Sequence, residues 1–97
     1  MSQASIERRL KALTPEVLAA REEVRVIDEQ LLHFGDSAED ARLRSLVSET
    51  PLAAREHRHA ARTVANLQRD REVWRERLVA LELQQDALLD QMMDAKS

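Results

Sequence analysis

The sequence predicts an all-α protein, an antiparallel coiled-coil helical hairpin with a long C-terminal helix, and three observations carry that expectation. Apolar residues recur in alternating steps of three and four along two long stretches, the signature of a coiled-coil seam. Residues that favour strands never cluster in an alternating pattern, and the chain holds one Gly, two Pro and two aromatics, Phe34 and Trp74. Charged residues make up 34% and hydrophobic residues 43%, which is too apolar and periodic for disorder and suits long solvated helices.

At 97 residues the chain has room for one domain, near the small end of what buries a useful core. It has no cysteine, so no disulfide framework and no thiolate metal site or nucleophile is available. The start, MSQASIERRLKAL, lacks the continuous apolar centre of a signal peptide, and no run approaches the ~18 apolar residues of a membrane span. A soluble cytoplasmic protein is the expectation. The net charge of −3 is mild, but it divides into blocks: +2 over residues 1–13, −6 over 14–41, +4 over 42–77 and −3 over 78–97. Alternating blocks suit helices that lie against one another, within or between chains.

In order, the first arm covers about residues 3–34. Ser5 can cap its first turn, and Ile6, Leu10, Leu13, Val17, Ala20, Val24, Ile27, Leu31 and Phe34 form its seam. Thr14-Pro15 is a helix-start signal inside that arm, yet the seam keeps phase across it, so a kinked continuous helix and two helices both remain open. Gly35, the only glycine, can take the left-handed conformation that ends a helix, which places a turn at 34–37. Asp36-Ser37-Ala38-Glu39 has the form of a capping box and starts a helix over 37–49, carrying Leu43 and Leu46. A second Thr-Pro, Thr50-Pro51, opens the long helix over 51–94, again as a kink or a break. Its seam runs Ala53, His57, Ala60, Val64, Leu67, Arg71, Trp74, Leu78, Leu81, Gln85, Leu88 and Met92. The alternative is a three-helix arrangement in which 37–49 forms its own layer.

With a turn at Gly35, facing residues have numbers adding to about 70, so that Ile27 meets Leu43, Val24 meets Leu46, Leu13 meets His57 and Ile6 meets Val64. Every such pair sets an a position against a d position. The flanks disagree: Glu23 falls beside Glu49, Glu16 beside Glu56 and Asp28 beside Asp40. Burying each large aliphatic side chain is worth roughly 1.5–3 kcal/mol against a few tenths for each screened repulsion, so packing outweighs the flanks.

That register leaves residues 67–92 without a partner in their own chain, about 40 Å of helix. The expected cover is a second copy. An antiparallel homodimer centred between Leu78 and Leu81 sets Trp74 against Gln85, Arg71 against Leu88, Leu67 against Met92 and Arg75 against Glu82. Arg71 and Gln85, polar at a positions, then specify the register of that interface, and Trp74 is its anchor.

No cofactor, metal or catalytic residue is expected. His57 and His59 are two apart and diverge around a helix, so they cannot chelate as an i, i+4 pair does. His57, on the seam, is the one residue whose titration could touch packing. Arg55, Arg58, Arg62, Arg69, Arg71, Arg75 and Arg77 could meet phosphates, but Glu56, Asp70, Glu72 and Glu76 interleave with them in sequence, which favours a solvated face over nucleic-acid binding. The chain therefore reads as a non-enzymatic interaction or assembly module, with an unidentified protein partner beside its second copy and no membrane role.

The stretch FGDSAED, with Asp36, Glu39 and Asp40 at the expected tip, resembles the acidic Gly-Asp tip of transcript-cleavage factors of the Gre type. The resemblance is confined to this short stretch, and the C-terminal domain of that family has no counterpart here. It implies an alternative: a small regulatory factor that binds RNA polymerase or nucleic acid through the acidic tip or the Arg-rich face. Residues 33–35 read His-Phe-Gly, which lacks the Trp-x-Gly turn of the small secreted WXG-type helical hairpins.

Overall fold

The computed structural model describes residues 2–96, and these form two α-helices of 46 residues each, α1 (Gln3–Ser48) and α2 (Pro51–Lys96). No strand occurs among the described residues.

The chain does not turn at 34–37, and no helix starts at Ser37. Gly35 has no positive φ and sits inside α1. The hydroxyl of Ser37 donates to the His33 carbonyl at 3.2 Å, a mid-helix bond, and Glu39 accepts from Arg42 at 2.6 and 3.0 Å instead of reaching back as a cap. A helical glycine costs about 1 kcal/mol, less than the burial gained by carrying the seam on through Ala38, Ala41 and Ser45. Those three are buried or half-buried.

Pro15 also lies inside α1, so the first Thr-Pro does not break the helix. The carbonyl that Pro15 cannot serve belongs to Lys11, on the exposed side where water can reach it, and Thr14 donates its hydroxyl to the Leu10 carbonyl at 2.9 Å. Buried Leu13 and Val17 hold the helix on either side of the proline.

The reversal falls at the second Thr-Pro. Pro51 pushes Thr50 out of the helical region, and Glu49 takes a left-handed φ of 48° while its N–H still donates to the Ser45 carbonyl at 3.3 Å. Thr50 then caps α2: its Oγ1 accepts from the Ala53 N–H at 3.1 Å, and its carbonyl accepts from the Ala54 N–H at 3.0 Å. Pro51 occupies the first helical position, where no N–H is needed. Thr50→Ala is expected to lower stability by about 1 kcal/mol, read as a shifted urea midpoint at unchanged slope.

Two units make up the chain, one of residues up to Val24 and from Val73 on, the other Arg25–Glu72. In the first, Ile6, Leu13, Val17 and Ala20 of α1 form a buried cluster with Leu81 and Leu88 of α2, and Leu10, Trp74, Leu78 and Met92 pack against it. In the second, the helices flanking the turn bury small side chains, Ala41 and Ala53 among them, and the seam positions Ala60, Val64 and Leu67 are half-buried. Arg71 meets Asp28 there, so residues whose numbers add to about 98 or 99 share a level.

This register replaces the one centred on Gly35. Leu43 and Leu46, expected opposite Ile27 and Val24, stand 47% and 62% exposed. Once α1 runs through Gly35 its seam continues over Ala38, Ala41 and Ser45, and the leucines fall on the outer side. Every seam position of α2 from Ala53 to Met92 is buried or half-buried, as the periodicity requires.

Candidate interaction surfaces

The stripe expected to bind a second copy is occupied by the chain's own first arm. Leu81 and Leu88 are buried against Ile6, Leu13 and Val17, and Trp74, Leu78 and Met92 pack on the same cluster. Gln85 and Glu82 are half-buried and Arg75 is exposed. In the other unit Leu67 is half-buried on the seam. The overhang on which the antiparallel homodimer rested is absent, because moving the turn to Glu49-Thr50 lengthens the first arm to match the second.

Arg71 pairs within its own chain. Its guanidinium donates from Nε to one carboxylate oxygen of Asp28 and from Nη2 to the other at 3.5 Å. That bond and the charge of Asp28 hold the Arg71 guanidinium more firmly protonated than usual. Trp74 is half-buried with the Arg77 guanidinium over its ring, 5.6 Å from the centroid, a contact that uses the aromatic face within the chain.

The acidic residues lie in mid-helix. Asp36, Glu39 and Asp40 are exposed on α1, roughly three turns before the reversal, so they form no tip. The hydrogen bond from Arg42 holds the Glu39 carboxyl below its ordinary range. The end of the hairpin carries apolar side chains instead: Leu46 at 62%, Val47 at 85% and Leu52 at 61% exposure.

On α2 the arginines are less mixed with acids than the sequence order suggests. Arg55, Arg58 and Arg62 recur at helical spacing on the side away from the seam and are exposed, whereas Glu56 lies about a quarter turn or more round the helix; further along, Arg69 shares that side with the exposed Glu72 three residues on. Arg69 donates to the Asn66 side chain, and no ion pair engages Arg55, Arg58 or Arg62 among the described residues. Arg58 and Arg62 thus form a stripe that the linear sequence disguises.

His57 is half-buried at its seam position, and its Nδ1 is fully buried with no hydrogen-bond partner among the described residues. His59 is exposed on another side of the helix, and no group of three or more potential ligands that could hold a metal occurs among the described residues. An open groove of about 420 Å³ runs between the helices over Leu13 and Leu88, flanked by Ala12, Ala87 and Arg9. No helix among the described residues is long and apolar enough to cross a membrane.

Protein-family models, curated proteins and solved structures were each compared with the chain, and none of them matches it.

Proposed function

We propose that the protein is a non-enzymatic interaction and assembly module of the cytoplasm, a coiled-coil hairpin that self-associates and presents its outer faces to other proteins. The observation that carries this reading is the division of apolar residues. The 4-3 seam is consumed inside the chain, yet large side chains such as Leu32, Leu46, Val47, Leu52 and Leu83 remain 61–85% exposed on the outer faces. Leu46, Val47 and Leu52 lie close together on either side of the turn, and exposed apolar side chains gathered in one place support a contact surface. The heptad spacing, with every α2 seam position buried or half-buried, supports pairing of the seam as a coiled coil.

A photo-crosslinking residue placed in turn at Leu32, Leu46 and Leu83 in living cells tests the reading. Discrete adducts heavier than one chain are expected from at least one position, while a residue placed at Leu81 gives none. A chain that yields no intermolecular adduct from any outer position contradicts it.

One observation favours the alternative, a regulatory factor contacting nucleic acid: no ion pair engages the stripe of Arg55, Arg58 and Arg62 among the described residues. That reading expects retention on heparin that weakens steeply with salt and is lost with Arg58→Ala and Arg62→Ala.

A further inference from the structure

We propose that the Arg25–Glu72 unit pairs with a second copy of itself, one lateral face of the hairpin seating on the same face of the other, so that α1 of each chain lies along α2 of its partner. This rests on the interaction-module reading and names one partner and its surface. The turn at Glu49-Thr50 and the Asp28–Arg71 contact fix which residues share a level. Within one or two residues of matching levels, on the sides away from the seam, stand Leu32 and Ala65, Asp36 and Arg62, Glu39 and Arg58, and Leu46 with Pro51 and Leu52. The first and last sets join apolar side chains, and the two between them join opposite charges.

Within one chain these residues cannot meet, because each lies well round its helix from the seam that joins α1 to α2. The two helices run antiparallel, so equivalent positions past the seam, such as Leu32 and Glu39 on α1 and Arg58 and Ala65 on α2, turn toward the same side of the hairpin. A second hairpin with its turn at the same end brings α2 alongside α1 in antiparallel sense, and the levels then coincide. The same contact recurs by two-fold symmetry, α2 of the first chain on α1 of the second, so each pair forms twice and the assembly closes as a dimer.

Leu32, at 74%, is among the most exposed large apolar residues of the chain. Ala65, near its level, is small and half-buried, so it stands low on that face and leaves room for Leu32, as a hole receives a knob. Glu39 already accepts from Arg42, but that pair is exposed and three residues apart on one helix, a weak contact that leaves the carboxylate able to take Arg58 as well. A nucleic acid would match the Arg stripe alone and leave Leu32, Leu46 and the α1 acids unused.

The test is sedimentation equilibrium of the full chain over a range of concentration and salt, with charge-reversed variants. The wild type is expected to form a dimer that weakens as salt rises. Asp36→Arg with Glu39→Arg is expected to weaken dimerisation at least about tenfold at unchanged helical content, and adding Arg58→Glu with Arg62→Glu to restore it. A wild-type chain that stays monomeric to on the order of 100 µM overturns the proposal, as does a dimer indifferent to the first reversal or not rescued by the second. Binding of single-stranded DNA by a monomer through Arg58 and Arg62 overturns it in favour of nucleic acid. A monomer that still gives crosslinks to another protein in cells overturns this pairing and leaves the interaction reading standing.

Discussion

Replacing Leu81 by alanine is expected to destabilise the monomer by about 2–4 kcal/mol, a large share of the roughly 5–15 kcal/mol available to a chain of this size. Leu81 is 8% exposed in the cluster formed with Ile6, Leu13, Val17 and Ala20. A two-helix core has one layer of side chains at each level, so few neighbours can move in to fill the space, and Leu88→Ala should behave alike. Leu83→Ala, on the outer side at 63% exposure, is expected to change stability by less than about 0.5 kcal/mol. Urea unfolding followed by Trp74 fluorescence in dilute solution reads all three. If residues 67–92 were instead the interface of an intermolecular seam, the Leu81 change would alter association and leave the melting of the monomer nearly unmoved.

Gly35→Pro is expected to cost about 3 kcal/mol or more, and Gly35→Ala to gain about 0.5–1 kcal/mol. The two signs follow from one conformation. Gly35 is helical, without a positive φ, and a Cβ placed there meets nothing within 4 Å, so alanine removes unfolded-state entropy at no steric cost. Proline removes the N–H that bonds the Leu31 carbonyl and drives its ring against that carbonyl. At a left-handed turn the alanine change would lose stability. Circular dichroism melts of the two variants beside the wild type decide between the two conformations.

Much of the fold was legible in the sequence, and the part that was not turned on one competition. The 4-3 spacing located the seam on α2 completely, because burial on a paired helix obeys the period alone. It could not say where the chain reverses, since the same spacing continues through Gly35 into Ala38, Ala41 and Ser45. Gly35 with Asp36-Ser37-Ala38-Glu39 imitates a helix end followed by a cap, and Thr14-Pro15 imitates a helix start. Only at Thr50-Pro51 does the side chain cap the next helix, with Glu49 accepting the left-handed conformation.

The charges held the missing information. The register centred on Gly35 set Asp28 beside Asp40 and Glu23 beside Glu49, whereas the observed one gives Asp28 an arginine. Each repulsion is worth only a few tenths of a kcal/mol, but three of them gathered in one register mark it as one the chain does not adopt. The misplaced turn carried the surface assignments with it: it put Asp36, Glu39 and Asp40 at a tip and left Leu67 to Met92 uncovered. Arg71, expected to specify the register of an interface between two copies, bonds Asp28 of its own chain.

The position of the reversal is tested most directly by an intramolecular distance. Spin labels at Gln30→Cys and Asp70→Cys, both exposed in the Arg25–Glu72 unit, are measured with labelled chains diluted into unlabelled ones. Reversal at Glu49-Thr50 sets the two positions on adjacent helices at one level, and with helices packed roughly 8–10 Å apart the labels should lie within about 25 Å. Reversal at Gly35 would set residue 30 opposite residue 40 and leave residue 70 about 45 Å further along its helix, and a distance of that order would contradict the account.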